Sequence, residues 1–290
     1  MGMPMARRLL KAGYKLGVYD LFKEPVEIMS REGAIKTESP KELSEASDVI
    51  LLSLPDGDTV TRALFDENGA LEGIRKGGII IDTSTIGPTY ARRIASRVKE
   101  NGVKILDAPV SGGPEGATNG TLSIMVGGEK QVFDDCVDVL KILGEHIFYM
   151  GGDGAGQSTK LVNQILVGIN VVGTCEALMF ASAQGLDIEK VADVIKASAG
   201  DSYMFRRTAP QVISRSFGKG FATFLVHKDL GLALSETAKI RGPLALCSLS
   251  RELIGANLHL DNERVDVASV MKVLETVSKT TSNKRAGTEQ

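Results

Sequence analysis

Two runs in the first half of the chain, Val49-Ile50-Leu51-Leu52 and Ile79-Ile80-Ile81, are apolar at every position. A strand that faces water on one side alternates in polarity; a strand apolar on both faces must be covered on both. Strand signals recur at Lys15–Asp20, Asp48–Leu54, Gly78–Thr83, Val103–Asp107, Leu122–Gly127 and His146–Met150. Amphipathic stretches such as Pro88–Asn101 and Glu129–Leu143 lie between them. Such alternation predicts a parallel sheet with helices on both faces. After Gly152 the strand signals stop. Helical periodicity then covers Gly156–Gln184, Ile188–Ser198, Tyr203–Ser214, Thr223–Lys239, Leu244–Asn257 and Val265–Val277. A polar tail, Ser278–Gln290, is expected to fray. The expectation is an α/β domain over residues 1–152 and an all-α domain over residues 153–290, divided near the glycine-rich stretch Met150–Gly156.

Composition narrows the function. Lys+Arg 34 against Asp+Glu 36 leaves a net charge of -2, so no global field draws nucleic acid or an anionic membrane. Cys136, Cys175 and Cys247 are far apart and never in a CxxC pair. Buried thiols in a reducing cytoplasm are expected, not a disulfide framework or a zinc site. None of His146, His227 and His259 has a ligand-spaced partner, so no metal is expected. The apolar stretch Leu161–Ala183 contains Asn163, Gln164, Asn170 and Glu176. Those groups are costly in a bilayer, so a helix buried within protein is expected there. Glycine, at 32 of 290 residues, exceeds the usual ~7% and points to turns and close backbone approaches.

Gly2 stands ahead of a helix at Arg7–Ala12, and Gly13-Tyr14 leads into a strand that ends at Asp20. In a dinucleotide-binding βαβ unit a glycine turn precedes a helix, and an acid about 20 positions on accepts the ribose hydroxyls. Gly2 suits the last glycine of that turn and Asp20 suits the acid. The first strand and the two earlier glycines, roughly 10 residues, are expected ahead of Met1. Leu54-Pro55 and Asp82-Thr83-Ser84-Thr85 end two buried strands, where ligands of doubly wound sheets lie; capping the following helices is the other use of such residues.

Two further segments carry chemistry. In Asp107-Ala108-Pro109-Val110-Ser111-Gly112-Gly113, the Ser-Gly-Gly turn exposes successive N–H groups and a hydroxyl, which suits a carboxylate. In Gly151–Gln164, glycines open a long helix on which Lys160, Asn163 and Gln164 share one face at i, i+3 and i+4. A lysine desolvated on such an apolar helix has its pKa lowered, as acid–base chemistry needs.

These segments, with the late run His227-Lys228-Asp229-Leu230-Gly231-Leu232-Ala233, resemble the β-hydroxyacid dehydrogenase family over essentially the whole chain. That family includes 3-hydroxyisobutyrate dehydrogenase and tartronate semialdehyde reductase. The resemblance implies a Rossmann-type N-terminal domain and an all-α C-terminal domain, linked by a long interdomain helix. It implies reversible hydride transfer between a nicotinamide cofactor and a small hydroxy acid. Lys160 is then the catalytic acid–base residue. Ser111, Gly112 and Gly113 hold the substrate carboxylate, and Asn163 and Gln164 bind beside them. Lys228 approaches the cofactor, as do Gly2, Met3, Asp20, Leu54, Pro55 and Thr85, with Thr59 a weaker candidate.

Asp20-Leu21-Phe22-Lys23 favours NAD, with NADP possible. Asn163-Gln164 looks more like the tartronate semialdehyde reductases, whereas 3-hydroxyisobutyrate dehydrogenases usually carry a second Asn. The related 6-phosphogluconate dehydrogenases carry His-Asn after the lysine. Tartronate, methylmalonate and succinic semialdehyde all fit a carboxylate clamp. A homodimer or homotetramer is expected from the apolar stretches Ile165–Val172, Leu225–Leu234 and Leu244–Leu249. The alternative reading is a non-catalytic relative or binding module with a defective dinucleotide fingerprint.

Overall fold

The computed structural model describes residues 1–218, 220–237, 242–260 and 265–279. The chain divides into two compact units, Met1–Lys160 and Leu161–Gln290. The first is a Rossmann-like α/β domain and the second is helical. A long helix, α9 (Ala155–Ala183), continues from one into the other.

The first unit runs α1 (Gly2–Lys11), β1 (Gly17–Val18), α2 (Lys23–Arg31), β2 (Ile35–Lys36), α3 (Pro40–Glu45), β3 (Val49–Leu52), α4 (Gly57–Phe65) and α5 (Ala70–Gly73). It goes on through β4 (Ile79–Asp82), α6 (Pro88–Glu100), β5 (Lys104–Asp107), β6 (Val110–Ser111), α7 (Gly113–Asn119), β7 (Leu122–Gly128), α8 (Lys130–Leu143) and β8 (Gly144–Gly151). The apolar runs explain themselves through their neighbours. Ile80 and Ile105 enter a cluster with Val60, Leu64 and Ile94 on one face; Ile81 and Leu106 enter another with Met5, Val126 and Leu140. Burying each such side chain contributes roughly 1.5–3 kcal/mol.

β1 and β2 form a parallel pair, and the larger sheet has the order β3-β4-β5-β7-β6, with β8 on β7. Here the sheet departs from the expected all-parallel arrangement. β3, β4 and β5 are parallel, but β7 is antiparallel to both β5 and β6. β6 starts just after β5, and only the short α7 separates it from β7. The chain therefore returns beside itself instead of crossing over the sheet. Among the described residues β1 pairs with β2 alone and β3 with β4 alone. β2 and β6 have two residues each, too few to show a period in the sequence.

The second unit adds α10 (Ile188–Lys196), α11 (Tyr203–Ser214) and α12 (Thr223–Ser235), a helix over Ala245–Leu260, a 3₁₀ turn over Val267–Val270 and a last helix over Met271–Ser278. Val171, Cys175 and Leu178 of α9 meet Phe205, Val212, Leu230, Ile254 and Met271 in its core. Buried Asp266 pairs with Arg207 and caps the 3₁₀ turn through the Ala268 N–H at 3.0 Å. All three cysteines are free and buried. By length and composition α9 could cross a membrane, yet 44% of its most apolar window is already buried within the chain. The polar tail beyond Lys279, and the end of the expected Thr223–Lys239 helix beyond Thr237, lie outside the described residues.

Candidate active site

Lys160 reaches a defined place because α9 starts in a defined place. Its Nζ donates to the Val110 carbonyl at 2.8 Å, and the residue is only 6% exposed. Val110 and the adjoining Ser111 form β6, so the lysine lies against the strand that enters the Ser111-Gly112-Gly113 turn. That turn needs its glycines: Gly112 and Gly113 have φ of 130° and 64°. A Cβ on Gly112 would also come within 3.1 Å of the Leu122 side chain. Thus the structure brings together four of the residues singled out in sequence: Lys160, Ser111, Gly112 and Gly113.

The start of α9 is held from two sides. Buried Asp107, at the end of β5, accepts from the Gly154 N–H at 2.7 Å and the Gln157 N–H at 2.8 Å. Burial pushes its carboxyl up to about 6, with the charge of Asp153 adding to the rise; the two N–H donors pull it down. Gln157 is fully buried. Its Oε1 accepts from the Ile86 and Gly87 N–H groups at 3.0 and 3.1 Å, and its Nε2 donates to the Ser84 carbonyl at 2.7 Å.

The other nucleotide candidates sit mostly at the carboxyl ends of parallel strands. Asp20 follows β1 and accepts from the Phe22 N–H at 2.9 Å. Leu54 and Pro55 follow β3, and the Leu54 N–H donates to Ser84 Oγ at 2.9 Å. Thr85 follows β4. Thr59 lies on the first turn of α4, where its hydroxyl accepts from Arg62 at 3.1 Å. Gly2 and Met3 begin α1, and a Cβ on Gly2 would lie 3.7 Å from the Ser53 Cβ, at the end of β3. α1 has no side-chain cap and no acid in its first turn. The start of α1 offers main-chain N–H donors, and a dinucleotide phosphate fits this donor set.

In the second unit, Asn163 Nδ2 donates to Gln164 Oε1 at 3.0 Å, and Gln164 Nε2 donates to buried Asp229 at 2.6 Å. Lys228 Nζ lies 3.0 Å from the other Asp229 oxygen. Asn163, Gln164 and Lys228 thus form one polar chain through Asp229. Sequence reading gave no role to Asp229 or Gln157, and offered Ser84 only as one of the small polar residues at a strand end. A signal was there for Gln157, which shares a helix face with Lys160 and Gln164 at i, i+3 and i+7.

Residues 1–151 match the family described as the NAD binding domain of 6-phosphogluconate dehydrogenase. Residues 154–274 match that described as NAD-binding of NADP-dependent 3-hydroxyisobutyrate dehydrogenase. The chain is 38% identical to the 2-hydroxy-3-oxopropionate reductase of Escherichia coli (strain K12), over 95% of this chain and 94% of the relative. It is 36% identical to the 3-hydroxyisobutyrate dehydrogenase of Pseudomonas aeruginosa, over 94% of this chain and 95% of the relative. The structure of the Mycobacterium tuberculosis 3-hydroxyisobutyrate dehydrogenase, determined with L-serine, superposes with a TM-score of 0.86. That pair is 30% identical over 94% of this chain and 95% of the other. The chain therefore binds NAD or NADP. The chain belongs to the 3-hydroxyisobutyrate dehydrogenase family, NAD(P)-dependent oxidoreductases of small hydroxy acids and semialdehydes.

Proposed function

We propose that this chain interconverts a small hydroxy acid and its semialdehyde, with Lys160 as the acid–base residue. The observation that carries the reading is the buried Lys160, held 2.8 Å from the Val110 carbonyl beside the Ser111-Gly112-Gly113 turn. When bound, the nicotinamide supplies or accepts the hydride. In reduction, Lys160 gives a proton to the carbonyl oxygen, where negative charge develops; in oxidation it takes that proton back. The Ser111 hydroxyl and the N–H groups of Gly112 and Gly113 hold the substrate carboxylate. Asn163, braced by Gln164, orients the reacting oxygen. Gly2, Met3, Asp20, Leu54, Pro55 and Thr85 hold the cofactor, with Thr59 and Lys228 as further contacts. The Asn163-Gln164 pair, and the likeness to a 2-hydroxy-3-oxopropionate reductase, favour tartronate semialdehyde over methylmalonate and succinic semialdehyde.

We read the division of labour as nucleotide binding over residues 1–152 and substrate binding and assembly over residues 153–290, in a cytoplasmic enzyme. Exposed Val162, Leu166 and Phe180 on α9, with Leu246 and Leu249, support a homodimer or homotetramer. Lys160→Ala is the direct test. It should leave folding and cofactor binding near normal and lower kcat by about 10²–10⁴-fold. Turnover near wild type would remove Lys160 from its role. A chain that binds NAD(H) yet turns over none of the three semialdehydes would favour the non-catalytic reading.

A further inference from the structure

We infer that Asp107 and Gln157 are positioning residues that act as a clamp, holding the first turn of α9 so that Lys160 and Thr85 keep their mutual register. The inference rests on reading Lys160 as the acid–base residue and Thr85 as a cofactor contact. The clamp is built from buried groups with every bond directed at backbone. Asp107 uses one carboxylate oxygen on the Gly154 N–H and the other on the Gln157 N–H. These are among the N–H groups that a helix start leaves without intrahelical partners. The carboxylate therefore fixes both the position and the axial rotation of that turn. Lys160 follows Gln157 by three residues on the same face, so a rotation at Gln157 becomes a displacement of Nζ.

Gln157 extends the clamp in the other direction. Its amide takes the Ile86 and Gly87 N–H groups and the Ser84 carbonyl, which bracket Thr85 on both sides. One side chain thereby ties the loop that presents Thr85 to the helix that presents Lys160. Space reinforces the bonds. A Cβ on Gly127 would lie 2.6 Å from Asp107 Oδ1, and a Cβ on Gly156 would lie 2.7 Å from the Asp107 carbonyl. The helix start is thus pressed onto β5 and β7, with no slack for a looser arrangement. An amide at position 107 would turn one acceptor into a donor facing an N–H. Leucine at position 157 would release the Thr85 loop.

The test uses the full chain with whichever of tartronate, methylmalonate or succinic semialdehyde it reduces fastest. Asp107→Asn, Gln157→Leu and Gln157→Glu are each made alone and combined with Lys160→Ala. A misplacement near 1 Å costs about 10²-fold. Asp107→Asn should therefore lower kcat by roughly 10–100-fold, with KM for the semialdehyde within about threefold. Gln157→Leu should lower kcat and also raise KM for the nicotinamide cofactor. Gln157→Glu keeps the acceptors for Ile86 and Gly87 and should lie between Gln157→Leu and wild type. In the Lys160→Ala background the kcat effect of Asp107→Asn should vanish. A lower Tm with unchanged kcat and KM in all three single variants would overturn the inference and leave the proposed function standing. An undiminished Asp107→Asn effect in the Lys160→Ala background would also overturn it. Near-wild-type turnover in Lys160→Ala alone would overturn the proposed function itself. If Asp107→Asn does not fold, the Gln157 pair carries the test unaided.

Discussion

Asp107 shows how one residue can cost stability while organising a site. Burial raises its carboxyl from 3.8 to about 6, despite two backbone donors, and the neighbouring Asp153 adds repulsion. Asp153 is itself paired with Lys99 at 2.7 Å. The folded state therefore holds the Asp107 proton more tightly than the unfolded chain does. The stability from this group is complete below about 3.8 and is lost as pH rises through about 6. Two pH units of difference correspond to roughly 3 kcal/mol. Between pH 4 and pH 7, wild type should lose stability relative to Asp107→Asn by about that amount, measured by urea unfolding at both pH values. Parallel losses in the two proteins would contradict the raised carboxyl. The residue itself was legible in the sequence as the first of the Asp107–Gly113 segment. Its partners were not, because Gly154 and Gln157 lie 47 and 50 positions away and meet it only through the sheet.

Among the elements, α9 carries the proposed acid–base residue and starts in close contact with β7. A Cβ on Gly156 would lie only 2.2 Å from the Met125 carbonyl. Glycine is needed there for proximity, since the position is helical and alanine would otherwise be the better helix former. Gly156→Ala should destabilise the protein by roughly 1–3 kcal/mol through overpacking. It should also lower kcat, because the start of α9 must move off β7. Thermal melting and steady-state rates read both effects, and wild-type values for both would refute the close seating. The helix was visible in sequence as Gly156–Gln184, within a residue at each end of the observed span. The antiparallel turn of β7 was not, because strand direction leaves no trace in a stretch of apolar residues.

At the scale of the whole molecule, function turns on the choice of cofactor and acid. Asp20 follows β1 and is exposed, where a carboxylate accepts a ribose 2′-hydroxyl and repels a 2′-phosphate. A panel of the three semialdehydes with NADH and NADPH should give kcat/KM at least about tenfold higher with NADH, as one unfavourable charge contact of about 1.4 kcal/mol requires. Equal rates, or a preference for NADPH, would remove Asp20 as the discriminator. The same panel ranks the acids, with tartronate semialdehyde expected to lead.

The sequence alone determined the two-part architecture, the buried strands and the long helix, and it singled out the candidate residues for chemistry. These depend on local period and on residue type, both of which are written in order along the chain. Tertiary structure decided which of those residues meet. It turned β7 antiparallel, seated α9 on β5 and β7, and brought Gln157 to the Thr85 loop and Asp229 to Gln164. Each of those outcomes depends on buried hydrogen bonds between segments far apart in the chain. Such bonds are selected by the need to satisfy polar groups once water has been excluded. That condition exists only after the chain has folded.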